Sequence, residues 1–224
     1  MAWQRKTPFG YMVRGGEIVP CPAEADAVQD IFTRYLAGAS FSRIAEEMSR
    51  GNIPYHRHTS QWNKQMTKIL FVCHGNICRS PMAEFVMKDL VKKAGLESEF
   101  LIESAATSTE EIGNPVYPPA RRKLAEHGID CAGKTARQLR NEDYERYDLL
   151  IGMDRANLRN MHRICGGDFD GKLHLLMEFT DRPGDVADPW YTGDFETTWQ
   201  DVSVGCSRLL GWLISRDQSG EIVK

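Results

Sequence analysis

From Lys68 to Met177, short runs rich in β-branched and aromatic residues alternate with segments whose apolar residues recur every three or four positions. This alternation constrains the fold more than any other feature. Lys68–Val72, Phe100–Ala105, Asp148–Met153 and Leu173–Met177 read as four strands. Pro81–Ala94, ending at Gly95, and Pro118–His127, stopped by Gly128, read as helices. A last helix repeats Phe195, Trp199, Val202, Cys206, Leu209, Leu210 and Leu213. Strands separated by helices return in the same direction, so the expectation is an α/β fold with a doubly wound, parallel, four-stranded sheet. Ligands of such sheets sit beyond the carboxyl ends of the strands. Cys73 lies at the end of the first.

The chain ahead of that sheet differs in character. Residues 1–65 carry 8 Lys+Arg against 6 Asp+Glu, whereas residues 66–224 carry 20 against 25. A boundary near residue 66 separates a small extension, 1–65, from a larger domain, 66–224. The formal net charge of −3 excludes a basic nucleic-acid surface over the whole molecule. Six cysteines (Cys21, Cys73, Cys78, Cys131, Cys165 and Cys206) show no zinc-site spacing, and a chain of 224 residues needs no disulfide staples, so a reducing, cytoplasmic setting is expected. No secretory signal is seen in Met1 to Pro20, and no run of eighteen apolar residues occurs anywhere, so no membrane partner is expected.

Within the extension, Val28, Ile31, Phe32, Tyr35 and Leu36 share one face of a helix that begins at Pro22 and stops at Gly38. Ser40 can cap a second helix carrying Phe41, Ile44, Ala45 and Met48 and ending at Gly51. Such a hairpin is a packing unit or a DNA-binding helix-turn-helix. Pro8-Phe9-Gly10-Tyr11, Ile18, Pro20, Glu24-Ala25, Val28, Ile31-Phe32, Tyr35-Leu36-Ala37-Gly38, Ser40, Ile44-Ala45 and Trp62-Asn63-Lys64 give residues 5–65 a resemblance to the DNA-binding recombinase domain of large serine recombinases. The resemblance implies a small helical N-terminal extension with DNA as a candidate partner. The family's serine-containing catalytic domain is not upstream, so recombination is not expected of it.

The stretch Val72-Cys73-His74-Gly75-Asn76-Ile77-Cys78-Arg79-Ser80-Pro81 joins strand to helix. A loop curled there turns successive backbone N–H groups inward and adds the positive end of the helix dipole, a cradle for a tetrahedral dianion. Arg79 can supply a bidentate fork to two phosphate oxygens. The same field favours a thiolate at Cys73, and Ser80 can donate a hydrogen bond to it. A thiolate facing phosphate is a nucleophile for phosphoryl transfer. Asp188-Pro189, read by itself, is a turn signal.

The loop, continued through Met82-Ala83-Glu84, together with Ser104-Ala105-Ala106-Thr107-Ser108, Gly113-Asn114-Pro115, His127-Gly128-Ile129, Ala136-Arg137-Gln138, Met153-Asp154 and Asp188-Pro189-Trp190-Tyr191, resembles the low-molecular-weight protein tyrosine phosphatases over residues 67 to about 217. The resemblance implies a phosphotyrosine phosphatase I-like fold, no cofactor and no metal. It also implies hydrolysis of phosphotyrosine and aryl phosphate monoesters on protein substrates, with a tyrosine kinase as the counterpart activity. Cys73 would form a phosphocysteine, and Arg79 with the loop residues His74, Gly75, Asn76, Ile77 and Cys78 would hold the phosphate. Asp188 would be general acid and then base. Asn76, Ser80, Ser104 and His127 would support the loop, while Trp190 and Tyr191 would wall the aryl slot.

Where many members place an aromatic residue on the facing wall, this chain has Thr109-Glu110-Glu111. Weaker selection for acidic phosphopeptides is therefore expected. Cys78, five positions after Cys73, suggests a reversible Cys73–Cys78 disulfide. Two other functions compete. Thioredoxin-coupled arsenate reductases resemble this fold, but they need relay cysteines, and Cys131 and Cys165 are isolated in the sequence. The other is a DNA-binding protein working through residues 5–65, with the second domain as effector.

Overall fold

The computed structural model describes residues 11–14, 17–20, 22–39, 43, 44, 47 and 66–219. The chain divides into two compact units, one built on Met1–Gln65 and the other on Met66–Ser215. In the first, β1 (Tyr11–Arg14) pairs antiparallel with β2 (Glu17–Pro20), setting Tyr11 opposite Pro20, so the extension also carries a β-ribbon that the helical reading lacked. Helix α1 (Pro22–Leu36) opens on a proline, whose fixed φ suits the first turn. It ends just before Gly38, which sits at φ +88. Its packed face is rotated from the one expected. Ala27 is buried with Ile44, and Ile31, Tyr35 and Ala39 pack beside them, whereas Phe32 and Leu36 are exposed. Of the expected second helix, Arg43, Ile44 and Glu47 are helical and the rest lies outside the described residues.

The second unit begins with β3 (Thr67–Cys73) and continues through α2 (Arg79–Lys93), β4 (Phe100–Ala106) and α3 (Pro118–Glu126). There follow α4 (Glu142–Arg146), β5 (Leu149–Gly152), α5 (Arg155–Cys165) and β6 (Leu173–Leu175). The short α6 (Pro189–Thr192) and the long α7 (Phe195–Ser219) complete it. All four strands of this sheet are parallel, in the order β4-β3-β5-β6, as the alternation predicts.

Strand periodicity divides the core. Ile69, Phe71 and Cys73 point into a cluster with Met82, Val86 and Met87 of α2, Leu124 of α3 and Val202, Cys206 and Leu209 of α7. Leu70 and Val72 point the other way, toward Tyr144, Tyr147, Met161 and Cys165 of the α4–α5 face. Full burial of a side chain such as Phe71 contributes about 1.5–3 kcal/mol. On α7, a Cβ at Gly205 would come 2.6 Å from Leu176 Cγ, so the helix lies closer to the turn after β6 than any larger residue allows. Because β4 and β5 leave β3 on opposite sides, the chain reverses its winding at the carboxyl end of β3.

Candidate active site

Cys73 closes β3 and Arg79 opens α2, leaving the loop 74–78 to turn between them. Asn76 takes φ +58, a left-handed conformation that asparagine tolerates better than most residues. With that turn, the Asn76 backbone N–H donates to Cys73 Sγ at 3.3 Å, and Ser80 Oγ lies 3.0 Å from the same sulfur. Neighbouring segments draw the loop's carbonyls outward. Thr107 N–H donates to Cys73 O, Ser108 N–H to His74 O, and Tyr117 N–H to Ile77 O. With these carbonyls bonded to neighbouring segments, a loop that runs into a helix start is an arrangement whose N–H groups can cradle an anion.

Arg79 is buried and meets two carboxylates. Its Nη1 donates to Asp154 Oδ2 at 2.7 Å, and its Nη2 lies 2.7 Å from Asp188 Oδ2. Each carboxylate also caps a helix. Asp154 accepts from Asn157 N–H at the start of α5, and Asp188 accepts from Trp190 N–H at the start of α6. Burial pulls the guanidinium down, but the Cys73 sulfur, Asp188 and Asp154 outweigh it and hold Arg79 above its ordinary value. Burial first, then the Cys73 charge, push the Cys78 thiol up to about 12. Both thiols are free.

Behind the loop, Asn76 Nδ2 donates to Ser80 Oγ at 2.9 Å and to Ser104 Oγ at 2.8 Å. His127 does not join this network among the described residues. It is exposed, and its ring stacks on Trp199 at 3.8 Å between centroids, because it ends α3 beside α7. Lys134 and Glu84 complete the network instead. Glu84 accepts from Ser104 Oγ at 2.5 Å and pairs with Lys134 Nζ at 2.8 Å. No spacing marks Lys134, which a turn through Gly133 brings in.

The rim is polar on one part and aromatic on another. His74 Nε2 lies 3.1 Å from Glu110 Oε2, and a Cβ at Gly75 would come 3.1 Å from Glu111 Cγ. Trp190 and Tyr191 are largely exposed, and Trp190 packs on Tyr117 with centroids 5.5 Å apart. Beneath them Ile77, Cys78 and Ala136 pack together with Phe195 against them. Asp154 was assigned no role by sequence reasoning, although its place just beyond the carboxyl end of β5 is a signal that could have found it.

Residues 68–219 match the family model described as low molecular weight phosphotyrosine protein phosphatase. The chain belongs to that family. Its members are phosphoric monoester hydrolases, and this chain is one of them. It is 38% identical over 147 residues to the low molecular weight protein-tyrosine-phosphatase YfkJ of Bacillus subtilis, covering 65% of this chain and 94% of that protein. The human low molecular weight phosphotyrosine protein phosphatase is 37% identical over 160 residues, with 65% and 94% covered. Among solved structures, that of YfkJ superposes with a TM-score of 0.66 at 36% identity, covering 68% of this chain and 97% of its own. The Streptococcus pyogenes phosphatase gives 0.60 at 42% identity, with 66% and 93% covered. Residues 22–72 match the model named Recombinase, a span that starts later than the resemblance read from the sequence and runs into β3.

Proposed function

We propose that this phosphatase works through Cys73, Arg79 and Asp188. The observation that carries the assignment is the buried Arg79 guanidinium, paired with Asp188 at the helix end of the loop that Cys73 opens. The Cys73 thiolate attacks phosphorus. The ester P–O bond breaks, and the leaving phenolate takes a proton from Asp188. Arg79 and the loop N–H groups from His74 to Arg79 stabilise the charge that gathers on the equatorial oxygens. A water then attacks phosphorus, giving its proton to Asp188 as the P–S bond breaks and the thiolate returns. Asp154, fixed as the cap of α5, holds the other edge of Arg79 so that the fork faces the loop. Trp190 and Tyr191 wall the slot for an aryl ring, with Glu110 on the rim. Rapid quenching with a labelled phosphotyrosine peptide tests this: label is expected on Cys73 and absent from Cys73→Ser.

The substrates are phosphotyrosine side chains of proteins, set by a tyrosine kinase as the counterpart activity, in a cytoplasmic setting where the buried thiols stay reduced. No described helix is long and apolar enough to cross a membrane. The reductase reading lacks support from the thiols it needs. Cys131 and Cys165 are buried, and burial and nearby carboxylates push Cys165 up to about 11.

Residues 1–65 form a separate domain ahead of the phosphatase domain, 66–224. The two compact units support that division, and the Recombinase match over most of the extension supports a DNA contact made by it. Binding of the full chain to duplex DNA that weakens steeply with salt tests the DNA contact; no binding at low salt contradicts it.

A further inference from the structure

Helix α5 carries two rows of residues spaced four apart. Asn157, Met161 and Cys165 are buried, and Leu158 and Ile164 pack beside them in the second core cluster. Arg155, Arg159 and Arg163 are offset from that row by two positions, about 200° around the helix, and all three are exposed. The helix is 11 residues long and holds no Asp or Glu.

This basic row has no carboxylates to meet. Elsewhere in the domain, Lys88 of α2 meets Glu84 at 2.5 Å and Lys123 of α3 meets Glu196 at 3.0 Å. Among the described residues no guanidinium of α5 is paired with a carboxylate, and Arg163 Nη2 donates to Asn160 Oδ1 at 3.3 Å. The carboxylates bonded to the helix, Asp154 and Asp185, accept from the backbone N–H groups of Asn157 and Arg155 rather than from the row. Residues 66–224 carry 20 Lys+Arg against 25 Asp+Glu, so the row locally reverses the sign of the domain.

The row also starts at the catalytic mouth. Asp154, immediately before Arg155, accepts from Arg79 Nη1 at 2.7 Å, and α5 leads away from that point. Arginines four apart on a helix are separated by about 6 Å along its axis. Alternate residues of an extended chain are separated by about 6.6 Å and point to the same side. An extended segment with carboxylates at alternate positions therefore matches the row in both spacing and charge.

We propose that Arg155, Arg159 and Arg163 form a docking site for an extended acidic segment of the protein substrate, lying beyond the immediate neighbours of the phosphotyrosine held over Cys73. The proposal deepens the phosphatase reading and rests on it. Glu110, on the rim, concerns the residues immediately beside the phosphotyrosine, so the two features read different parts of a substrate. A DNA backbone also carries regular negative charge, but the start of the row beside Asp154 and the negative balance of the domain favour a substrate segment.

The full chain is assayed on two phosphotyrosine peptides that differ only beyond a short Gly-Ser spacer, one with alternating Glu and Ser and the other with Gln for each Glu. Each tail is placed before or after the phosphotyrosine. At low salt, kcat/KM of the wild type should be at least about threefold higher for the Glu tail in one placement, since each exposed pair contributes a factor of about 1.4–5. The ratio should fall toward one as salt rises. Arg159→Glu combined with Arg163→Glu should bring it to one or below, and because the ratio is taken within one protein, a general loss of activity does not alter it. A wild-type ratio of one in both placements, or a ratio that the double variant keeps, overturns the proposal. If the wild-type ratio is one and the double variant binds duplex DNA more weakly, the row belongs to DNA instead. No turnover of the Gln-tailed peptide by the wild type would count against the phosphatase reading itself, and the docking site would fall with it.

Discussion

Asp188 Oδ2 lies 2.7 Å from Arg79 Nη2, so the proposed acid and the phosphate-binding fork are joined in one ion pair. Phosphate in the loop would compete with Asp188 for those N–H groups. When Arg79 turns to phosphate, the Asp188 carboxyl is released from the pair and can face the leaving-group oxygen. The pairing therefore couples substrate binding to placement of the acid.

Asp188→Ala should lower kcat/KM for phenyl phosphate, which reports formation of the phosphocysteine, by about 10²–10⁴, the range of general acid–base contributions. The loss should be smaller for p-nitrophenyl phosphate, whose leaving group needs little protonation. Equal losses on the two esters, measured by steady-state kinetics, would contradict the assignment.

Glu110 sits on the rim beside His74. Wild-type kcat/KM should not be higher for phosphotyrosine peptides with acidic neighbours than for those with basic neighbours. Glu110→Lys should raise the acidic-to-basic ratio by a factor of about 1.4 to 5, in line with about 0.2–1 kcal/mol for an exposed charge pair. A marked wild-type preference for acidic peptides would remove the Glu110 argument.

With its thiol pushed up to about 12, Cys78 is protonated at neutral pH. Iodoacetamide at pH 7 should therefore label Cys73 well before Cys78. Under mild peroxide, Cys73 sulfenic acid should condense with the Cys78 thiol to a disulfide, releasing water. Mass mapping that instead finds sulfinic acid at Cys73 and no internal bond rules this pair out.

Glu84 is held below its ordinary value of 4.5 in the folded protein. Its contribution to stability is therefore complete above the unfolded value and disappears as pH falls through the folded one. The gap in Tm between wild type and Glu84→Gln should be largest near pH 6 and close progressively below pH 4.5. A gap that is constant or widens toward acid would show that Glu84 is not held as a carboxylate.

The sheet was legible because each strand is a short apolar run bounded by a turn, and the loop was legible because cysteine, arginine and serine sit at fixed offsets within one segment. The strand expected to run to Met177 stops at Leu175, where the chain enters a tight helical turn at Leu176–Phe179. Helix α5 escaped notice because Leu158 and Met161 are few apolar landmarks among Arg155, Asn157, Arg159 and Asn160. Its ends were nonetheless marked by an Asp154 cap and by Gly166 at φ +77. The support of the loop was legible only in part: Ser104 was expected there, whereas Glu84, Lys134 and Arg137 join it only through tertiary packing. His127 was placed there by its likeness to a family position, and the structure turns it outward onto Trp199. In the extension, the exposed Phe32 and Leu36 show that periodicity defines a helix without saying which of its apolar residues find a partner.

Hydrolysis of p-nitrophenyl phosphate by the full chain and by Cys73→Ser tests Cys73 as the nucleophile most directly. Turnover by the wild type, with none detectable for Cys73→Ser, is the result predicted; a Cys73→Ser protein that keeps full activity would contradict it.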